Sequence, residues 1–380
     1  LLRNLRQRKL FKTFERCRHK QVEWLQAQKV QTSDHFYLSY LEAAESDAYY
    51  AQLGQHKADL SIQRKQNQLD QFYLSEKLKD ACEMLIRSRI LKVNYSNPML
   101  ERLLKEVEQN LRQYEAVAPL MVYYYLYQLI KMEERPYYFQ ALEVIRKYEA
   151  QLRKVEMQNI YNYLQNYCIV QTNKGSRTFL QQSFELYQKQ LEKKLLMDKD
   201  GFLLEWHYKN IVAIVMRLGE MDWVKNFIET YRHELPPEVM ENAYTFNLAA
   251  YYYATHQLEK VQQLLIQVEY KDIRYSLAAK SLLLRTYYDL QEYDALQSLV
   301  KSFREYLRRH KLIPDQRRKA FLRLLQLTKV ASQIQSAMPF QRAKKTKRQI
   351  LELRTDIEKS KELINREWLI GKVEEMEVKY

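Results

Sequence analysis

Apolar residues recur along this chain at spacings of three and four, the period that gathers them on one face of an α-helix, and short polar breaks separate the runs. This pattern predicts helices near 2–28, 33–53, 57–92 and 97–114, the last opened by the start signal Ser96, Asn97 and Pro98. Residues 117–152 read as a helical hairpin broken at Glu134 to Pro136, with Ala141, Ile145 and Tyr148 on the inner face of its second helix. Residues 157–191 read as another, broken at Asn173 to Ser176. Further helices are expected near 315–335 and 341–378.

Between these lie three stretches in register: EWHYKNIVAIVMRLGEMDWVKNFIETY from Glu205, ENAYTFNLAAYYYATHQLEKVQQLLIQV from Glu241, and SLAAKSLLLRTYYDLQEYDALQSLVKSF from Ser276. Ile211, Leu248 and Leu283 share one position, and Val215, Tyr252 and Tyr287 follow one turn later on the same face. In the second helix the matched sets are Met221, Leu258 and Tyr293; Val224, Val261 and Leu296; Ile228, Leu265 and Val300; and Tyr231, Val268 and Phe303. Successive units are 37 and 35 residues apart, a period typical of helical-repeat arrays.

Composition narrows the class. With 5 Gly and 7 Pro in 380 residues, the chain lacks the turn residues that sandwiches, barrels and doubly wound sheets use in number. No Gly-x-Gly occurs, which excludes a Walker loop and a dinucleotide-binding turn, since both bring bare backbone close to phosphate. The expected fold is all-α. Cys17, Cys82 and Cys168 are odd in number and far apart, so a reducing compartment, the cytoplasm, is expected instead of a disulfide framework. No apolar run reaches the roughly 18 residues of a membrane span, and no membrane association is expected. The basic opening LLRNLRQRKLFKTF reads as an ordinary first helix and not a targeting segment.

The net charge of +15 is concentrated in two blocks, +7 over residues 1–30 and +13 over residues 301–348. The second block contains Arg308, Arg309, Lys311, Arg317, Arg318, Lys319 and Arg323, then Arg342, Lys344, Lys345, Lys347 and Arg348 in the run RAKKTKR. It reads either as a solvated face or as a surface for phosphates or an acidic partner. None of His19, His35, His56, His207, His233, His256 and His310 lies in a metal-ligand or nucleophile-activating motif. Catalysis, a metal and a cofactor are therefore not expected.

The three aligned units resemble the tetratricopeptide repeat, with Ala249 at the close-approach position and the units otherwise degenerate. That resemblance implies an α-solenoid of antiparallel hairpins, a right-handed superhelix, over 116–312. An N-terminal helical region (1–115) and C-terminal basic and capping helices (313–380) would flank it. It also implies a concave groove lined by the first helix of each unit. The family's groove positions fall at Trp206, Lys209, Met216 and Arg217; at Phe246, Asn247 and Tyr253; and at Arg285 and Tyr288, an aromatic and basic surface for a protein or peptide partner. Some of the 31 tyrosines, clustered at Tyr123 to Tyr125 and Tyr251 to Tyr253, should face such a groove. Two other readings stay open: a nucleic-acid-associated or acidic-partner-binding protein acting through 1–30 and 301–348, and a sensor module of a larger polypeptide. Oligomeric state is not encoded in any motif.

Overall fold

Leu, Gln, Glu, Lys and Arg dominate the periodic segments, side chains that lose little rotamer freedom in a helix, and the described residues form helices with no strand. The computed structural model describes residues 1–54, 61–266 and 273–379. His56, Val268 and the expected helix start at 57 lie outside them. The chain divides into two compact units, Leu1–Leu196 and Met197–Tyr380. The division falls inside the stretch read from sequence as one continuous array.

The first unit contains α1 (Leu2–Gln7), α2 (Phe11–Ala27), α3 (Ser33–Gln52), α4 (Ser61–Leu91), α5 (Leu100–Gln109), α6 (Leu111–Tyr114), α7 (Ala118–Met132), α8 (Arg135–Tyr148), α9 (Lys154–Asn173) and α10 (Arg177–Glu192). α3 pairs with α4, α4 with α7, α7 with α8, and α9 with α10. The main core joins Leu78 and Cys82 of α4, Tyr123 and Leu126 of α7, Tyr138 and Ile145 of α8, and Ile160, Leu164 and Cys168 of α9, all buried. Each such side chain contributes about 1.5–3 kcal/mol on leaving water. Ala141, Ile145 and Tyr148 are buried, as their spacing predicts, and so are Tyr123 and Tyr124, while Tyr125 is half-buried.

The second unit contains α11 (Glu205–Leu218), α12 (Met221–Tyr231), α13 (Pro237–Ala254), α14 (Leu258–Ile266), α15 (Ile273–Asp289), α16 (Tyr293–Arg309), α17 (Asp315–Ala337), α18 (Ala343–Lys359) and α19 (Arg366–Val378). Hairpin partners pack together, and α13 also packs against α11 and α15. The aligned positions behave alike: Ile211, Leu248 and Leu283 are buried, as are Val224, Val261 and Leu296, and Ile228, Leu265 and Val300.

One turn recurs in both units. Glu133, Gly175, Gly219, His256 and Gln291 each take a left-handed conformation two residues before the second helix of a hairpin starts. In four of these hairpins the following N–H donates to the carbonyl five residues back: Ser176 to Gln171, Glu220 to Val215, Gln257 to Tyr252, and Glu292 to Tyr287. That bond closes the orphan carbonyls of the first helix. The low glycine count thus does not remove sharp turns; Glu, His and Gln take the left-handed position instead, at about 1–2 kcal/mol each.

Three segments expected as single helices are split, the first of them by the same device. Lys9 (φ 56°) separates α1 from α2, with Leu10 donating to Leu5. Asn110 separates α5 from α6, and the stretch Ser360–Asn365, ending in left-handed Asn365 (φ 55°), separates α18 from α19.

Candidate functional site

α13 starts at the Pro236–Pro237 pair, where a missing N–H costs nothing, and ends before His256; α15 ends before Gln291; and α17 starts after Pro314 with Asp315 in its first turn. These three helices and the turn before α19 enclose a cavity of about 690 Å³. Phe246, Ala250, Ala278, Leu282, Ala320 and Phe321 give it an apolar lining, and Ser281, Arg285, Gln316, Arg317, Glu362 and Asn365 supply its polar groups.

The turn is fixed from several sides. Arg323 Nε donates to Ser360 Oγ (2.9 Å), Ser360 Oγ to the Asp356 carbonyl (2.6 Å), and Arg366 to the carbonyls of Ile357 and Ser360. Asn365 Nδ2 donates to Ser281 Oγ at 2.8 Å, tying the turn to α15.

A second cavity, about 490 Å³, lies where α19 meets α13 and α15. There Asp289 accepts from Tyr253 Oη (2.5 Å) and pairs with Lys372 Nζ (3.0 Å), which also reaches Glu375 (2.8 Å). Burial opposes the charge on Lys372, but its hydrogen bonds to Glu375 and Asp289 hold its pKa above the ordinary lysine value. Burial pushes the Tyr253 phenol up. The Trp368 ring meets Tyr288 edge-on at 5.3 Å between centroids.

The groove residues named from sequence divide into three groups. Phe246 and Arg285 line the first cavity, and Tyr253 and Tyr288 line the second. Tyr288 is only 2% exposed, because α19 covers the face on which it lies. Lys209 is half-buried with its ammonium 5.0 Å from the Phe246 ring centre and 5.6 Å from that of Tyr275. Asn247 is buried and spends its amide on the Ala243 carbonyl at 2.7 Å. Trp206 (44% exposed), Met216 and Arg217 line neither cavity.

The basic block divides as well. Arg317 lines the first cavity. Arg308 pairs with Glu305, Arg318 with Asp315, Arg348 with Glu352, and Arg323 is engaged by Ser360 and Asp356. Arg309, Lys311, Lys319, Arg342, Lys344, Lys345 and Lys347 are exposed and form no ion pair among the described residues.

Sequence reasoning did not find Asn365, Trp368 and Lys372, which close the groove side of α15. The signal was there in part. The polar run from Lys359 to Glu362 marks a break, and Trp368, Leu369 and Val373 have helical spacing beyond it.

Among the described residues no cluster of His, Cys, Asp and Glu could hold a metal ion, and no helix is long and apolar enough to cross a membrane. Cys17, Cys82 and Cys168 are free thiols. No known protein-family model matches the sequence, and no curated protein and no solved structure is significantly similar to it.

Proposed function

We propose that the chain is a non-enzymatic, tetratricopeptide-like scaffold, acting in the cytoplasm, that holds a protein or peptide partner along the face formed by α13, α15 and α17. The observation that carries this reading is the repeated hairpin: matched buried positions and matched left-handed turns recur along the second unit, and α13, α15 and α17 line the 690 Å³ cavity. Aromatic and basic groups on that face suit a peptide better than a small polar substrate. A second reading keeps the basic block as a contact for nucleic acid or an acidic partner. What favours it is the set of unpaired cations opening α18, Lys344, Lys345 and Lys347.

The two readings separate in a pull-down with the full chain at low and high salt, with and without nuclease, read by mass spectrometry. The scaffold reading expects a defined protein that survives both treatments, because apolar groove contacts are weakly salt-dependent. Recovery of only nuclease-sensitive, salt-labile material, lost in the triple variant K344E/K345E/K347E, moves the function to the basic block.

A further inference from the structure

Arg285 is a charged side chain that the fold has sheltered without giving it an ion pair. Its guanidinium lies 4.5 Å from the centre of the Tyr253 ring, and its Nε is buried with no hydrogen-bond partner. Asp289, one turn further along α15, is engaged by Tyr253 and Lys372 and makes no ion pair with Arg285. A guanidinium cannot shed its proton to relieve burial; the nearby charge of Asp289 offsets part of that cost, and a bound anion would offset more. Burial also holds the Arg285 pKa below the usual arginine value.

Arg285 lines the 690 Å³ cavity, and a second arginine, Arg317, lines it from α17, exposed and without an ion pair. One carboxylate balances one of these charges; a phosphate monoester balances both and offers three acceptor oxygens to the two planar forks. The remaining wall is apolar and aromatic, with Phe246 and Phe321, and the volume far exceeds what a bare ion needs. Glu362, exposed among the lining residues, is the acid that a ligand must tolerate.

We propose that this cavity binds a phosphate monoester carried on a flat apolar body, with the phosphoryl group on Arg285 and Arg317 and the body against Phe246 and Phe321. A phosphorylated tyrosine side chain and a nucleoside monophosphate both have this chemistry.

The probe is phenyl phosphate, titrated into the full chain by calorimetry and by ¹H–¹⁵N spectra of the arginine Nε–H groups. The expected result is saturable binding at least about tenfold tighter than benzoate, with movement of one Nε–H signal that is missing in Arg285→Lys. Arg317→Gln, at an exposed position, should leave helical content unchanged and weaken binding about tenfold. Acetyl-phosphotyrosine amide and AMP then distinguish the two sources, and tighter binding of either identifies it. An unmoved Arg285 signal at saturating probe overturns the assignment. So does affinity unchanged in both variants, which places the anion on lysines such as Lys344 and Lys345 instead. The pull-down is independent of these results, so a scaffold without the phosphate site and a phosphate site without a captured protein are distinguishable.

Discussion

Glu42 in the first unit and Arg285 in the second are both charged groups withdrawn from water, and their surroundings are opposite. Glu42 is 2% exposed and fully answered: Arg64 donates to one carboxylate oxygen, and the other accepts from Ser46 Oγ at 2.8 Å with Arg18 at 3.8 Å. Arg285 has an aromatic ring and no ion pair, with Asp289 acting on it only at longer range. Where the fold itself needs a buried charge, as between α2, α3 and α4, the chain supplies the counter-charge. Where it leaves one without an ion pair beside a cavity, room remains for an anion from outside the chain. His207 of α11 shows a third solution: buried, it stays neutral, its pKa pushed down to about 4.

These three sites make different predictions about stability. The largest effect belongs to His207. Its folded pKa of about 4 lies below the unfolded value near 6.5, so the unfolded state binds the proton first. Its contribution is complete above about pH 6.5 and is lost as pH falls toward 4, up to about 3 kcal/mol. The urea midpoint, followed by tryptophan fluorescence between pH 7 and 4, should fall with acid, and His207→Phe should flatten that dependence.

Next comes Arg64→Met, which leaves Glu42 with the Ser46 hydroxyl and with Arg18 at 3.8 Å as its one remaining cation among the described residues. Because Arg64 is partly exposed, a loss of about 2 kcal/mol is expected, at the low end for a broken buried pair. Adding Glu42→Leu should recover most of that loss; a double variant as unstable as the sum of the singles would contradict the pairing.

The smallest effect carries the opposite sign. Arg285→Met removes a charge that has no ion pair and keeps the length of the side chain, so the midpoint should stay level or rise by about 1 kcal/mol. A loss comparable to that of Arg64→Met would show that Arg285 has a partner within the fold.

The helices were legible in the sequence because their apolar spacing survives in the burial pattern, from Ala141, Ile145 and Tyr148 to Val224, Val261 and Leu296. The splits at Lys9 and Asn110 were not, since neither residue is a glycine and the apolar period continues on both sides, and the one before Asn365 was marked only by the polar run Lys359 to Glu362. The site was legible in halves. The repeat register identified Phe246, Tyr253, Arg285 and Tyr288 as neighbours, and charge counting identified Arg317. That Arg317 and Arg285 share one cavity, and that Trp368 covers Tyr288, depends on how α17 and α19 pack against α15, and no local pattern encodes such a contact.

The bond from Asn365 to Ser281 spans 84 residues, and Trp368 and Lys372 reach Tyr288 and Asp289 over similar separations. On the ribosome, therefore, α15 is complete well before its cover exists. At roughly 5–20 residues per second, that face waits on the order of ten seconds for residues 365–372 to be made. During that interval the newborn chain presents Tyr288 to water, open to any binder before the protein's own helix covers it.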